Sequence, residues 1–412
     1  MYEDLVKKVD GFQPTLIAMT ITESTFTRGI GLIDHLRFNK KFNILTIVGG
    51  VYATFVPERV ITEDAVDIVC VGEGDEALVE LCDKLEKSKN YFDINNLWIK
   101  KRNGTIIKNN PRPAVDINIL PTIDFTIFED DRFYRPMRGK VYRMLPIETH
   151  RGCPYTCTFC NSPAQNNLYN DITQSKFFRK KSVDKIREEL IAFRNNWKGE
   201  YVFFWADTFL AWSEKEIEEF AEMYSEFKLP FFMNTRPETV TERRSQKLKE
   251  VNCHRVNIGV EHGNQKFRAE VVGRAYKNEL AIKAFNFMYD AGVSTVSNSI
   301  VGYPDETREL AFDTIEINRH FNSDNLSCSI FVPFHGTELH ELAVKRGYVD
   351  PKTICAVSNS GESILNMPQW EKDDITRLRD VFAMYVKFPK NRWPEIKKAE
   401  ALTPQGDSNG SR

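Results

Sequence analysis

Residues 149–160 read Thr-His-Arg-Gly-Cys-Pro-Tyr-Thr-Cys-Thr-Phe-Cys and contain three of the eight cysteines in this 412-residue chain. Three residues separate Cys153 from Cys157, and two separate Cys157 from Cys160. Thiolates at this density in an intracellular chain are more often metal ligands than disulfide partners. Three ligands, rather than four, predict an iron–sulfur cluster with one iron left open.

A structural zinc site is the alternative interpretation of these cysteines. It needs a fourth cysteine or histidine at short spacing, and His150 is the nearest candidate. His150 stands just before the motif rather than in a Cys-x-x-Cys or His-x-x-x-His pair, which favours the cluster. The remaining cysteines are scattered among apolar residues and are predicted to be buried small hydrophobic side chains: Cys70, Cys82, Cys253, Cys328 and Cys355.

The cysteine pattern, with the aromatic Phe159 just before the last cysteine, resembles the signature of the radical S-adenosylmethionine (SAM) enzymes. The resemblance implies that Cys153, Cys157 and Cys160 hold three irons of a [4Fe–4S] cluster and that SAM binds the fourth. It also implies that Phe159 covers the cluster and packs against the adenine of SAM. One electron from flavodoxin or ferredoxin would then cleave SAM to a 5′-deoxyadenosyl radical.

Composition narrows the class of protein further. The formal net charge is −2, so no electrostatic footprint for nucleic acid is visible. No apolar run is as long as a membrane span, and the first residues do not read as a signal peptide. These features predict a cytoplasmic protein, and the length is sufficient for two or three domains.

The first 90 residues alternate strand-like and helix-like runs, which predicts a parallel, doubly wound sheet with ligands at the strand carboxyl ends. The predicted strands are 15–20, 44–48 and 67–71, and the predicted helices are 28–37, 57–64 and 76–87. Two of the strands end in glycines: Gly49 and Gly50, then Gly72 and Gly74. Such glycines allow close approach of a ligand or simply form a tight turn, and both interpretations stay open.

The glycine turns resemble those of the cobalamin-binding domain that precedes one large branch of radical SAM enzymes. The resemblance implies that Gly49, Gly50, Gly72 and Gly74 contact the cofactor. That domain often carries an Asp-x-His-x-x-Gly loop whose histidine ligates cobalt, and no such loop is present here. We therefore expect a partial Rossmann-like domain over residues 1–95, either shortened at its N-terminus or lacking part of the corrinoid pocket.

Residues 138–350 repeat a strand–helix unit six times. The predicted strands are 145–149, 201–205, 231–234, 255–259, 295–301 and 327–331. The predicted helices are 183–195, 214–227, 242–250, 278–291, 307–320 and 338–346. Right-handed crossovers would make these units an open, partial (β/α)6 barrel with chemistry at the strand carboxyl ends, so the fold class is α/β.

Other segments complete the predicted domain organisation. A hairpin and an irregular connector are expected over residues 96–137, since an Asn103-Gly104 turn lies between two apolar runs. Residues 351–400 are expected to be helical, with 373–388 as an amphipathic helix. Residues 401–412 are polar and are expected to form a disordered tail.

Polar residues follow the second and third barrel strands. Asp207 is a candidate to receive the SAM ammonium group, with a helix N-cap as its alternative role. By resemblance, Asn234 and Arg236 face the ribose and carboxylate of SAM, because a guanidinium binds a carboxylate with two hydrogen bonds. The alternative for Arg236 is a surface ion pair with Glu238.

The later strand ends carry three further candidates. Residues 259–264 closely match a family Gly-x-Glu-x-Gly-Asn pattern, which would place Glu261 beneath SAM. Gly302 starts a turn that resembles a family Gly-x-Pro turn whose backbone passes the adenine. His335 follows the sixth strand and is interpreted as a packing histidine, with a substrate contact as the alternative.

The sequence therefore predicts a radical SAM enzyme that methylates an unreactive carbon with the help of cobalamin. A cyclase or rearrangement enzyme that works without cobalamin is the alternative within this family. A non-catalytic iron–sulfur or corrinoid-binding protein is the alternative outside it. The predicted substrate is a small molecule or a peptide, and no side chain is assigned a catalytic role beyond cofactor binding.

Overall fold

The computed structural model describes residues 2–40, 42–356 and 361–402. Its strands are β1 (Leu16–Thr20), β2 (Leu45–Gly49), β3 (Ile68–Cys70), β4 (Leu97–Lys100), β5 (Ile106–Lys108), β6 (Tyr134–Met137), β7 (Lys140–Glu148), β8 (His150–Arg151), β9 (Arg179–Lys180), β10 (Tyr201–Trp205), β11 (Phe231–Thr235), β12 (Cys253–Glu261), β13 (Ser294–Val301) and β14 (Asn325–Ile330). The predicted tail lies outside the described residues from residue 403 onward.

The α-helices follow in the same chain order. They are α1 (Tyr2–Phe12), α2 (Glu23–Asp34), α3 (Val51–Phe55), α4 (Pro57–Ile61), α5 (Asp75–Glu86), α6 (Ser162–Thr173), α7 (Val183–Asn195), α8 (Glu214–Tyr224), α9 (Glu242–Glu250), α10 (Gln265–Glu270), α11 (Asn278–Asp290), α12 (Arg308–Asn318), α13 (Glu338–Lys345), α14 (Lys372–Lys387) and α15 (Trp393–Leu402). Across the described residues, none of these helices combines the length and apolar character that a bilayer crossing needs.

The chain forms two compact units that are not contiguous in sequence. Unit 1 contains Met1–Val115, Phe159–Phe177 and Val332–Ser358, whereas unit 2 contains Asp116–Thr158, Phe178–Phe331 and Asn359–Arg412. These bounds differ from the domain limits expected at residues 95, 137 and 350. The difference arises because two later segments of the chain return to pack within unit 1.

Unit 1 is built on a sheet with the strand order β1-β2-β3-β4-β5. The pairs β1–β2 and β2–β3 are parallel, as the alternating pattern predicts, whereas β4 and β5 pair in the antiparallel direction. The hairpin expected in the connector therefore belongs to this sheet. Its burial explains why, since Leu97 and Ile99 are almost completely inaccessible and pack with Ile68 and with Leu81 of α5.

The two faces of this sheet carry separate apolar clusters, as expected for a doubly wound fold. Ile47 and Ile68 pack with α5 on one face. Val48 and Val69, the next residue along each strand, pack on the other face with Phe26 of α2. Alternate residues of β2 and β3 are thus buried on opposite faces, and this explains why these two strand sequences are mainly apolar.

Residues 332–356, which we call the returning segment, join unit 1 through the carboxylate of Glu23. Glu23 accepts hydrogen bonds from the backbone N–H groups of His335 and Cys355 at 2.9 and 2.8 Å. Its other contact is with Nδ1 of the His335 ring at 2.8 Å. Glu23 is 3% exposed, so this carboxylate holds two backbone donors and one imidazole inside unit 1. The arrangement agrees with the packing role predicted for His335.

The pKa shifts of this pair have opposite directions. Burial, which would raise the pKa of Glu23, is outweighed by its hydrogen bonds to His335 and Cys355, so the pKa is lowered. Burial, which would lower the pKa of His335, is outweighed by Glu23, so the pKa is raised. Stabilisation from Glu23 is present above its ordinary value of 4.5 and is lost as the pH falls further. Stabilisation from His335 is complete below 6.5 and is lost as the pH rises through the raised pKa.

We expect Glu23→Gln to lower the free energy of unfolding by about 3 kcal/mol at pH 6, because the half-buried imidazole of His335 loses the buried carboxylate that pairs with it. The loss should shrink at pH 9, because the electrostatic part of this pair is lost as the pH rises through the raised pKa of His335. Urea denaturation at the two pH values measures this, with Glu86→Gln on the exposed face of α5 as the control. An equal loss at both pH values would show that Glu23 and His335 are not electrostatically coupled.

Unit 2 contains the predicted partial barrel. Its main sheet has the order β14-β13-β12-β11-β10-β7-β6, in which the six strands from β14 to β7 are parallel. These are the six strands that the repeated strand–helix units predict. The edge strand β6 was not predicted, and it pairs antiparallel with the first half of β7.

The barrel strands present one face to the helices and the other to the inner side of the sheet. On β10, Val202 and Phe204 are buried in the core under the helices, whereas Phe203 and Trp205 lie on the inner face. On β12, Val256 belongs to the same core. The side chains on the inner face are therefore the ones available for a ligand.

The C-terminal helices complete unit 2. The face predicted for the helix over residues 373–388 is confirmed, because Leu378, Val381, Phe382 and Tyr385 of α14 are all buried. Glu400 of α15 accepts hydrogen bonds from the Tyr385 hydroxyl at 2.9 Å and from Arg308 of α12 at 2.6 and 2.8 Å. This buried carboxylate therefore links α15 to α12 and α14 by hydrogen bonds.

Candidate active site

The cysteine loop begins at the carboxyl end of β7, the first parallel strand of unit 2. The backbone N–H of Thr149 donates to the carbonyl of Trp205 at the end of β10, at 3.0 Å. Gly152 has a φ of 79°, a backbone conformation that favours glycine, and Cys153 follows it. The loop therefore leaves the barrel at the edge where such folds hold their active sites.

Two arginines donate hydrogen bonds to the same sulfur. Nη1 of Arg236 lies 3.0 Å from Sγ of Cys157, and Nε of Arg274 lies 3.3 Å from it. Both guanidinium groups are buried, at 5% and 7% exposure. Two buried guanidinium groups thus donate to one sulfur of the cysteine loop.

The other two cysteines also have polar neighbours. Sγ of Cys153 lies 3.5 Å from the Thr208 hydroxyl, and burial raises the pKa of this thiol while Thr208 opposes the shift. Cys160 lies in the segment that belongs to unit 1, where the backbone N–H of Ser162 at the start of α6 donates to its sulfur at 3.5 Å. Within the described ranges, no three Cys, His, Asp or Glu side chains are already arranged as a metal site.

The turn after α10 packs against the cysteine loop and is hydrogen-bonded to it. The hydroxyl of Thr158 donates to the carbonyl of Val271 at 2.6 Å, and its backbone N–H donates to Val272 at 3.3 Å. Gly273 has a φ of 72°, and a Cβ there would lie 2.8 Å from the carbonyl oxygen of Thr156. Glycine is needed at this position because the loop backbone passes directly against it.

Arg236 makes two further contacts besides its hydrogen bond to Cys157. Its Nη2 pairs with Glu238 at 2.6 Å, and its guanidinium lies 3.8 Å from the ring centroid of Tyr155. The ion pair with Glu238, which is the alternative role of Arg236, is therefore present. Arg236 is buried, however, so the pair does not lie at the surface. Tyr155, in the cysteine loop itself, was not singled out as a site residue, although an aromatic residue inside the motif is a visible signal.

Glu261 occupies the end of β12 in a backbone conformation that is uncommon for a non-glycine residue. Its φ is 68°, and the register against β13 shifts at this point. Its Oε1 lies 3.1 Å from Nη2 of Arg274, whose Nη1 donates to the carbonyl of Gly259 at 2.6 Å. A methyl group at position 259 would overlap the Glu261 carboxylate, so Gly259 makes room for this ion pair.

The pKa values of Glu261 and Arg274 are shifted both by burial and by the interaction between the two side chains. Burial raises the pKa of Glu261, while Arg274 and Arg236 act against the shift. Burial, which would lower the pKa of Arg274, is outweighed by Glu261 and by Cys157, so the pKa is raised. Arg274 therefore remains a cation between the cysteine loop and Glu261.

Asn234 and Asp207 lie near the ends of neighbouring strands. The side-chain carbonyl of Asn234 on β11 accepts a hydrogen bond from the amide of Asn257 on β12 at 3.0 Å. Asp207 follows β10 and is exposed. It is not the N-cap of α8, because Ser213 fills that role, with its hydroxyl accepting from the backbone of Glu216 at 3.3 Å.

The turn at Gly302 is held by Glu306, a residue that the sequence did not single out. The carboxylate of Glu306 accepts from the backbone N–H groups of Gly302 at 2.6 Å and Tyr303 at 2.9 Å. Its other oxygen lies 3.1 Å from Nε2 of His262. Since the N–H of Asn264 donates to Nδ1 of His262 at 3.1 Å, a neutral ring carries its proton on Nε2 and donates it to Glu306.

The glycine turns of unit 1 are partly explained by contacts within that unit. Gly50 has a φ of 101°, and a Cβ there would overlap the backbone of Ile21. Gly72 has a φ of 84°, and a Cβ there would lie 2.7 Å from the Tyr169 hydroxyl of α6. Gly49 and Gly74 have no such overlap, because a Cβ at either position would make an ordinary van der Waals contact with Cys70.

Two further predictions concern His150 and the cysteines outside the motif. His150 is buried among Phe178, Phe209 and Trp212, and burial lowers its pKa to about 3, with Lys180 adding to the shift. It is a core histidine in this structure rather than part of a cysteine–histidine group. The prediction that the remaining cysteines are buried is wrong for Cys82, which lies on the exposed face of α5.

Two family models match the chain in separate regions. Residues 147–316 match the radical SAM superfamily, and residues 1–82 match the B12 binding domain. The first range begins in β7 and contains the cysteine loop, Arg236, Arg274 and Glu261. The chain is thus a radical SAM enzyme, a class that uses SAM and a [4Fe–4S] cluster, and a B12-binding domain precedes its barrel.

Named relatives share most of this chain. An uncharacterized methyltransferase of Pyrococcus horikoshii is 27% identical over 346 residues, which cover 83% of this chain and 72% of that protein. The anaerobic magnesium-protoporphyrin IX monomethyl ester cyclase of Rubrivivax gelatinosus is 25% identical over 361 residues, which cover 82% of this chain and 60% of the cyclase. The chain thus spans less than two thirds of the length of the cyclase.

A solved structure shows the same fold. It is the radical SAM methyltransferase TsrM from Kitasatospora setae with cobalamin and a [4Fe–4S] cluster bound, and it is 16% identical to this chain. The TM-score is 0.64, and the alignment covers 84% of this chain and 67% of TsrM. At this identity, the comparison establishes the shared fold.

Proposed function

We propose that this enzyme uses SAM to methylate an unreactive carbon atom of its substrate with the help of cobalamin. The observation that carries the proposal is the presence of a radical SAM match and a B12-binding match in one chain. The names of the Pyrococcus relative and of TsrM, both methyltransferases, support the same reaction. When bound, the cluster supplies the electron that cleaves SAM, and cobalamin supplies the carrier of the methyl group.

In this proposal, Cys153, Cys157 and Cys160 hold three irons of the cluster. The donor set fits, because thiolates are the ligands that such clusters use. Arg236 and Arg274 balance the negative charge of the Cys157 thiolate at hydrogen-bond distance. Phe159, which is half-buried beside Cys160 in sequence, covers the cluster.

The strand ends of unit 2 are proposed to bind SAM. Glu261 offers a carboxylate to polar groups of SAM, Asn234 offers its side-chain amide to the ribose, and the exposed carboxylate of Asp207 receives the ammonium group. The turn at Gly302, held by Glu306, presents its backbone to the adenine. Arg236 is the proposed partner of the SAM carboxylate, since a guanidinium can bind it with two hydrogen bonds.

Cobalamin is proposed to contact the carboxyl end of the unit 1 sheet. A Cβ at Gly49 or Gly74 would make only ordinary contact with Cys70, whereas Gly50 and Gly72 allow no Cβ without overlap and shape the same turns. The proposed electron donor is flavodoxin or ferredoxin, and the proposed location is the cytoplasm. The proposed substrate is a small molecule or a peptide.

The experiment is an anaerobic reaction of the reconstituted full chain with SAM and dithionite, with and without added cobalamin. We expect 5′-deoxyadenosine in both reactions and S-adenosylhomocysteine only when cobalamin is present, because methyl transfer from SAM releases it. Replacement of dithionite by reduced flavodoxin should support the same products. Absence of S-adenosylhomocysteine with cobalamin present would contradict the proposed methyl transfer.

A cyclisation or rearrangement without cobalamin is the second candidate. It is favoured by Ile21 and Tyr169, which pack against Gly50 and Gly72, two of the four glycines in these turns, and by the cyclase relative. Formation of 5′-deoxyadenosine that is indifferent to cobalamin, together with no corrinoid retained after gel filtration, would favour this candidate.

A further inference from the structure

An apolar crevice of about 590 Å³ lies in unit 2 on the inner face of the sheet. Strands β6, β7, β10 and β11 and the connector before β6 form its walls. The lining side chains are mostly large and apolar, and they include Phe128, Met137, Pro146, Phe203, Trp205 and Phe232. This volume lies within the range of small-molecule sites in proteins, about 300–1,000 Å³.

One wall of the crevice is made of flat aromatic rings. The rings of Phe203 and Phe232 stack with centroids 4.3 Å apart and an angle of 4° between their planes. Trp205 lies next to Phe203, with centroids 5.4 Å apart, and is 57% exposed. Such rings interact with a planar conjugated ligand more favourably than their buried area alone would give.

Two arginines line the same crevice. Arg132 is paired with Glu129 at 3.4 Å, whereas Arg135 is exposed and has no ion pair among the residues that the structure describes. Arg135 stands on the edge strand β6, one residue before Pro136, which also lines the crevice. A ligand in the crevice therefore meets an apolar wall and an available positive charge.

The crevice reaches the active-site edge of the sheet through Trp205. This residue ends β10, and its carbonyl accepts the hydrogen bond from Thr149, four residues before Cys153. Asp207, a proposed SAM contact, follows two residues later. A ligand that stacks on Trp205 would thus extend from the cysteine loop along the inner face toward β6.

We propose that this crevice binds the carbon skeleton of the substrate, and that the substrate is a planar, conjugated or polycyclic molecule with a carboxylate or a similar anionic group. The aromatic wall would hold the flat skeleton, and Arg135 would bind the anionic group. This inference rests on the proposed function for the reaction itself. Binding in the crevice needs neither SAM nor reduction of the cluster, so it is testable separately.

The test uses 1-pyrenebutyrate, a flat aromatic carboxylate, and follows its fluorescence anisotropy on titration with the full chain. We expect saturable binding of one molecule per chain. The neutral analogue 1-pyrenebutanol should bind about threefold to fivefold more weakly, which corresponds to an exposed ion pair. Dodecanoate, a flexible carboxylate without rings, should displace the probe only at much higher concentration.

Three variants locate the binding. Arg135→Gln should weaken 1-pyrenebutyrate by about threefold to fivefold and leave 1-pyrenebutanol unchanged. Trp205→Leu and Phe203→Leu should weaken both pyrenes by about fivefold, because each removes an aromatic contact. Trp205→Leu is the safer of the two for folding, since Trp205 is mostly exposed. Matched controls are Arg243→Gln and Tyr289→Leu, which remove an exposed arginine and an exposed tyrosine elsewhere in unit 2.

The outcomes separate this inference from the proposed function. Equal affinity for dodecanoate and 1-pyrenebutyrate, or equal effects of the controls, would overturn the planar anionic substrate. Self-association that Trp205→Leu abolishes would also overturn it, because the crevice would then join two copies of the chain. Formation of 5′-deoxyadenosine by the same protein preparation would leave the radical chemistry intact in either case.

Discussion

Cys157→Ala is expected to abolish the formation of 5′-deoxyadenosine and to lower the iron and sulfide content of the reconstituted protein. Cys157 is the cysteine on which two buried guanidinium groups converge, so its removal takes away both a proposed cluster ligand and the anion that these cations face. Loss of one of three ligands also leaves the proposed cluster held by two thiolates. The measurement combines iron and sulfide analysis, the visible absorbance of the reconstituted protein, and product detection by liquid chromatography.

Cys253→Ala is the matched control for this experiment. Cys253 is buried at the start of β12, away from the arginine pair, and its conversion to alanine should leave cluster content and product formation close to those of the unchanged enzyme. Cys157→Ser separates charge from ligation, since a hydroxyl can accept from the arginines but is a poor iron ligand. A Cys157→Ala protein that still forms 5′-deoxyadenosine would show that Cys157 is not a ligand.

Gly259→Ala is expected to lower the rate of 5′-deoxyadenosine formation by about 100-fold, the cost that a displacement of about 1 Å in a reacting group can have. The added methyl group would overlap the Glu261 carboxylate, which must then move from its ion pair with Arg274. Arg274 in turn contacts Cys157, so the disturbance reaches the cysteine loop. The rate is measured at saturating SAM, together with the KM for SAM.

Two further variants, Glu261→Gln and Gly11→Ala, test the cause of this effect. Glu261→Gln keeps the volume of the side chain and removes its charge, so a comparable loss would assign the effect of Gly259→Ala to the displaced carboxylate. Gly11→Ala should be silent, because no atom lies within 4 Å of the position that its Cβ would take. If Gly259→Ala retains full activity, the Glu261–Arg274 pair is not part of the SAM site.

The strands of both units could be predicted because each is a short, mainly apolar run that alternates with a helical segment. The strand 201–205 is found at the expected residues, and the other barrel strands differ from the prediction mostly at their ends. The cysteine loop could be recognised from spacing alone, because three thiolates in eight residues rarely serve any purpose other than metal binding. Local patterns of this kind carry their signal within a dozen residues.

The parts that escaped prediction depend on contacts between residues distant in sequence. Arg274 contacts both Cys157, which is 117 residues away in sequence, and Glu261, and no local pattern around it indicates either contact. Glu306 gave no signal, since a single glutamate near a helix start is common, and its role depends on the turn at Gly302 and on His262. The unusual backbone of Glu261 was equally invisible, because only the folded strand register produces it.

Unit 1 is assembled from three separate stretches of the chain, and this has a consequence for how the protein is made. Glu23 is synthesised 312 residues before its partner His335. The N-terminal sheet must therefore persist without its last contacts while the whole barrel is being translated. Expression of residues 1–115 alone would yield a sheet that lacks α6 and the returning segment. We accordingly expect residues 1–115 to bind chaperones during synthesis until the returning segment has emerged from the ribosome.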